Sequence, residues 1–203
     1  MAASVESLLV RHRLDVDDYH RMGDAGILGE HDRVELIGGE IIDMAPIGPP
    51  HAGAVKRQSN RIKSAVGERA IVATQDPVRI DRFNEPEPDI ALLRPREDYY
   101  SQTHPAPADI LLIVEVAETS LRYDREVKIP LYAQAGIPEV WLVDIAGKTL
   151  WIYRDPKGDR YRDLAPAGDL AHLLVRAMPD TAVDLTGVFG KSETTAFTGK
   201  SRP

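Results

Sequence analysis

Apolar residues fall along the chain in short runs that suit strands, with one stretch at helical spacing. VELIGGEIIDM, residues 34 to 44, carries two such runs around Gly38-Gly39, and paired glycines accept the positive φ of a tight turn, so a β-hairpin is predicted. PIGPP breaks the pattern. From His51 to Gly67, Ala54, Val55, Ile62, Ala65 and Val66 recur at near-helical spacing before the closing glycine, which predicts an amphipathic helix. AIVATQDPVRI (70–80), PDIALLR (88–94) and ILLIVEVA (110–117) read as three successive strands, separated by proline- and charge-rich loops at 81–88 and 95–109. After Thr119-Ser120, RYDREVKIPLYAQAG predicts a second helix ending at Gly136. Pro130 must lie in its first turn or kink it. EVWLVDIAGKTLWIYR (139–154) gives two more strands about Ala146-Gly147-Lys148, and weaker strand signals run to about Val188. This order implies an α/β fold of the α+β kind, a central mixed sheet with helices on its faces.

With 203 residues, 43% hydrophobic and 28% charged, the composition is that of an ordinary globular chain. One domain over residues 1–190 is expected, followed by a flexible tail at 191–203. The absence of cysteine removes a disulfide scaffold, a thiolate zinc site and a cysteine nucleophile. The start, MAASVESLLVRHRLDVDD, shows no basic leader with an apolar core, and no apolar run approaches the roughly 20 residues that span a bilayer; a soluble, cytoplasmic protein is expected. A net charge of −7 argues against wholesale coating of nucleic acid. It leaves room for a local basic footprint, and Lys56, Arg57, Arg61 and Lys63 share one segment.

Within DILLIVEVAETS, Glu115 interrupts an otherwise apolar strand. A carboxylate moved into an apolar interior costs several kcal/mol unless a cation or hydrogen-bond donor meets it. Asp89 follows a proline at the entrance to the preceding strand, so the two acids converge if the strands are neighbours. Two carboxylates suit a hard divalent ion such as Mg²⁺ or Mn²⁺. Lys128 lies 13 residues after Glu115, where an ammonium could orient or deprotonate an attacking water and offset charge on a phosphoryl centre. Each residue also has a structural reading: Asp89 as a strand-entry residue, Glu115 as the partner of Arg122 or Lys128, Lys128 as a solvated helix residue, His51 as a loop-bonded helix terminus, and Glu40 as a solvent-facing hairpin residue. The chain contains no G-x-x-x-x-G-K-[ST], H-E-x-x-H, G-x-S-x-G or G-x-G-x-x-G motif.

VELIGGEIIDM, His51, EPEPDIALL and ILLIVEVAETSLRYDREVKIPLYAQAGIPEVWLVD together resemble the Uma2 family of restriction endonuclease-like proteins, over roughly residues 15 to 155. That family is similar to the PD-(D/E)XK nucleases, whose helix, three strands, helix, strand core matches the order read above. The resemblance implies a metal-dependent endonuclease acting on nucleic acid, with DNA as the expected substrate, and a homodimer, for which an edge strand and the Trp141 and Trp151 region are candidates. It carries the acidic pair onto Asp89 and Glu115, the hairpin glutamate onto Glu40, and the lysine onto Lys128. In the superfamily the lysine stands two positions after the second acid; here that position is Ala117, so Lys128 must project toward the acids from the following helix. Asp89→Asn and Lys128→Ala are expected to abolish cleavage without unfolding the chain. Two other readings stand beside this one: a binding or assembly module that keeps the fold without turnover, and a hydrolase of smaller phosphate esters.

Overall fold

The computed structural model describes residues 10–29 and 31–190; the tail expected at 191–203 lies outside them. The chain opens with helix α1 (Val16–Asp24), capped by Asp15, whose side chain accepts from the Asp18 backbone. Strands β1 (Val34–Ile37) and β2 (Glu40–Asp43) form the expected hairpin, with Gly38 and Gly39 at φ of 63° and 80°. Both angles lie in the region where a Cβ is strained, which explains the glycine pair.

Helix α2 (Pro49–Val66) follows, then strands β3 (Ile71–Ala73), β4 (Ile90–Leu93) and β5 (Ile110–Ala117). The predicted strand at 70–80 is thus only three residues long. Its remainder is extended chain whose backbone bonds go to other loops, as in Val78 to Pro86 and Arg79 to Pro105. Next come α3 (Leu121–Tyr123), a π turn (Asp124–Lys128) and α4 (Ile129–Gln134), then β6 (Glu139–Asp144), β7 (Thr149–Lys157), β8 (Arg160–Pro166) and the ribbon β9 (Leu173–Val175) and β10 (Met178–Val183).

Strands β3 to β8 form one six-stranded sheet in sequential order. Only β5 and β6 are parallel. That pair needs a crossover connection, and the α3–α4 segment supplies it. On β5, Leu112, Val114 and Val116 join a core with α2 and the β9–β10 ribbon. Ile113 and Ala117 belong to a second core with Ile129, Tyr132 and Ile137. A strand covered on both faces reads as a continuous apolar run, and Glu115, next but one to Ile113, falls on the face that meets Tyr132.

Pro130 is the second residue of α4, in its first turn, which is one of the two places the sequence allowed it. The Ile129 amide bonds the Asp124 carbonyl five residues back, a widened turn just before the residue that has no N–H to give. Trp141 is completely buried, so it is a core residue and no candidate for contact with a second copy. On α2, Arg57 donates to the Val188 carbonyl at 3.1 Å and Arg61 lies 3.4 Å from Asp184, so part of the expected basic footprint is turned to the chain's own C-terminal segment. No helix among the described residues is long and apolar enough to cross a membrane.

Candidate active site

A cavity of about 290 Å³ opens where the hairpin, the start of α2, the entrance to β4, the end of β5 and the π turn meet. Asp89, Glu115 and Lys128 all line it. Strands β4 and β5 are antiparallel neighbours with Ile90 opposite Val114. Asp89 therefore stands at the end of that ladder, where its Oδ2 accepts the Val116 amide at 2.8 Å. His51, in the first turn of α2, places Nε2 3.1 Å from the same carboxylate, and Gln75 reaches its other oxygen at 3.5 Å. The hydrogen bond to Asp89 pushes the His51 pKa up against the opposing effect of burial.

Glu115 is 2% exposed. Its Oε1 accepts from the Tyr132 hydroxyl at 2.6 Å and lies 3.4 Å from the Lys128 ammonium. Burial drives its pKa up to about 8, with Asp124 and Asp89 adding to the rise and Lys128 opposing it. Arg122, the other partner considered, is exposed and pairs with Glu126 at 3.0 Å.

Lys128 is as buried as the acid it meets. Its Nζ has three acceptors: Glu35 Oε2 at 3.1 Å, Glu115 Oε1 at 3.4 Å and the Glu87 carbonyl at 3.4 Å. These match the three N–H donors of an ammonium. Burial works against its charge, yet Glu115, Glu35 and Asp124 together hold the pKa above the ordinary lysine value. Its acid neighbours thus hold the group as a cation. It is not a solvated helix residue that can be removed freely. Lys128→Ala would leave two buried carboxylates without their counter-ion, which corrects the expectation that this substitution spares folding.

Glu40 does not reach the cavity. It sits exposed at the start of β2 with its carboxylate 3.8 Å from Arg11. The hairpin acid inside is Glu35, 2% exposed, opposite Ile42 in the register. Its Oε1 accepts from Tyr123 at 3.0 Å, while Oε2 takes the Glu87 amide and Lys128, each at 3.1 Å. Strand β1 lies inside because Leu36 pairs with Glu85, leaving β2 as the outer strand. Glu35 offered the same signal as Glu115, an acid between Val34 and Leu36.

Asp124, also missed, lies on the π turn, 3% exposed. Its Oδ2 accepts from the Ser120 hydroxyl at 2.7 Å, and burial raises its pKa to about 6. The half-buried Glu87 is likewise raised, chiefly by burial. Seven carboxylates and only two fixed cations, Arg33 and Lys128, line the cavity. Three acids whose pKa values are lifted by burial, Glu115, Asp124 and Glu87, in a pocket short of positive charge, are a donor set that a divalent cation fits.

The mixed sheet with its crossover helix is that of a nuclease-like fold, and comparison with known proteins agrees. Residues 16–186 match the Uma2 family model, described as "Putative restriction endonuclease", and the chain belongs to that family. Among solved structures it is similar to "a putative nuclease belonging to DUF820 from Anabaena variabilis", at 16% identity and a TM-score of 0.65, covering 87% of this chain and 97% of that one. Among curated proteins no match is found.

Proposed function

We propose that the protein is a metal-dependent endonuclease in which Asp89 and Glu115 hold Mg²⁺ or Mn²⁺ and nucleic acid, DNA in the first instance, is the substrate. The observation that carries this reading is the meeting of two acids from adjacent strands with a buried, ion-paired lysine in one acid-rich cavity. When bound, such an ion supplies charge stabilisation to a phosphoryl centre and lowers the pKa of water. Asp89 is oriented by His51 and the Val116 amide. Glu115 is oriented by Tyr132 and Lys128, both on Oε1, which leaves Oε2 for a cation. Asp124 offers a third carboxylate in the same cavity.

Lys128 acts in this proposal through its charge. Its three acceptors fix the ammonium beside Glu115, where it favours the ionised carboxylate and would offset negative charge building up on a bound phosphoryl group. Glu40 has no part in the site, and Glu35 takes its place as the acid that seats the lysine. A homodimer would bring two such cavities onto opposite strands of a duplex; the exposed edge strand β8 offers a surface for it, and the buried Trp141 does not.

The test is cleavage of supercoiled, linear and single-stranded DNA and of RNA with Mn²⁺ or Mg²⁺, comparing the natural chain with Asp89→Asn. Metal-dependent cleavage lost in the variant, with its melting transition retained, supports the reading; equal activity in both refutes it. The second reading, a binding module without turnover, is favoured by Ala117 at the superfamily's lysine position and by the complete pairing of Lys128. It predicts binding of nucleic acid with no cleavage under any of these conditions.

A further inference from the structure

Glu85, two residues before Glu87, is a buried acid outside the cavity just described, 2% exposed. It lies on the segment that pairs with Leu36. Its Oε1 stands 2.6 Å from His20 Nε2 on α1, while its Oε2 is buried without a hydrogen-bond partner. His104, from the loop between β4 and β5, sets its ring edge-on to His20 with centroids 5.8 Å apart. One ligand atom from each of His20, Glu85 and His104 can be chosen so that all three lie within 4.8 Å of one another.

A simple His20–Glu85 ion pair accounts for one carboxylate oxygen. It leaves the second oxygen buried and unsatisfied, which native structures rarely tolerate, and gives the neighbouring imidazole no task. We propose that these three residues form a transition-metal site, separate from the acid-rich cavity, that takes an ion of the Zn²⁺ class. Two imidazole nitrogens and one carboxylate oxygen are the donors such ions prefer, with the remaining position filled by water, whereas Mg²⁺ selects oxygen. Ligand atoms on a tetrahedral ion with bonds of this kind stand about 3.3 Å apart. To reach that spacing the two exposed imidazoles must turn toward the buried carboxylate.

The ligands come from three segments that are distant in sequence, so a bound ion clamps α1 and the 94–107 loop onto the strand-like segment at Glu85. That segment runs directly into Glu87, whose amide and carbonyl touch Glu35 and Lys128. The clamp therefore steadies the wall of the acid-rich cavity without supplying a ligand to it.

Co²⁺ titration of the tag-free, chelator-stripped full chain tests this, because Co²⁺ in a low-coordinate nitrogen and oxygen site gives an intense visible band. The intense band should saturate at one equivalent, be abolished by Zn²⁺, and its growth should be accompanied by a rise in melting temperature. The band should persist in Asp89→Asn and weaken at least tenfold in affinity in His104→Ala and in His20→Ala. No band in the natural chain, or a band unchanged in both histidine variants, overturns the site. Nitrogen NMR of the imidazoles in the unmutated chain gives an answer that does not depend on variant folding: Zn²⁺ must shift both His20 and His104, and an unmoved His104 refutes the proposal.

Discussion

Replacing Glu115 with glutamine isolates the energetic consequence of burying this acid. Burial lifts its carboxyl from the ordinary 4.5 to about 8. Between those values the unfolded chain has lost the proton and the folded chain still holds it, so stability from this group is fully present below about pH 4.5 and is lost as pH rises through about 8. Each pH unit in that window lowers folding stability by about 1.4 kcal/mol, and the whole window sets an upper limit of roughly 5 kcal/mol. The opposing effects of Lys128 and Tyr132 are already contained in that value, so a change of up to about 4 kcal/mol between pH 5 and pH 8.5 is the working figure. Glutamine keeps the side-chain length and an acceptor for Tyr132 but cannot ionise. Urea unfolding followed by circular dichroism in chelator, at half-unit steps from pH 5 to 9, should show the natural chain losing stability relative to Glu115→Gln as pH rises. Parallel curves for the two proteins, with a constant offset, would mean that Glu115 is ionised throughout and that the account of its burial is wrong.

The same raised carboxyl makes divalent-ion binding a proton-releasing event: calorimetry in buffers of different ionisation enthalpy should find close to one proton released per Mn²⁺ at pH 7 and far less at pH 9, and no release at pH 7 would remove Glu115 from the ligand set. Lys128→Met leaves Glu35 and Glu115 buried without their cation and should cost about 3 to 5 kcal/mol in urea unfolding at pH 8; stability equal to the natural chain would show that the ammonium is replaceable. Glu40→Gln should change stability by less than about 0.5 kcal/mol, as expected of an exposed position, and leave cleavage unaltered, whereas Glu35→Gln should lower cleavage severalfold; the reverse ranking would restore the assignment suggested by resemblance.

Element order was legible because hydrophobic periodicity is local, and the hairpin, α2, β4, β5, β6 and β7 all fall where their apolar spacing and glycines put them. What failed depended on partners far away in sequence. β3 is short because residues 76–80 bond to loops at 86 and 105 instead of to a strand. Glu35 and Glu40 could not be ranked without knowing that β1 is the inner strand of the hairpin, which the Leu36–Glu85 bridge decides. Nor does a buried glutamate in an apolar run itself mark a site. Glu139 at the head of β6 is completely buried too. Its Oε1 meets Trp141 at 2.9 Å and Arg154 at 2.6 Å, and its Oε2 takes the Arg176 amide at 2.7 Å. Both of its oxygens are consumed by permanent donors, so Glu139 is a structural strut. Glu115 shares its only ammonium with Glu35, keeps Asp89 and Asp124 close enough to raise its pKa, and faces a cavity. What separates the two acids is unmet negative charge, which is a property of the assembled neighbourhood and of no single stretch of sequence.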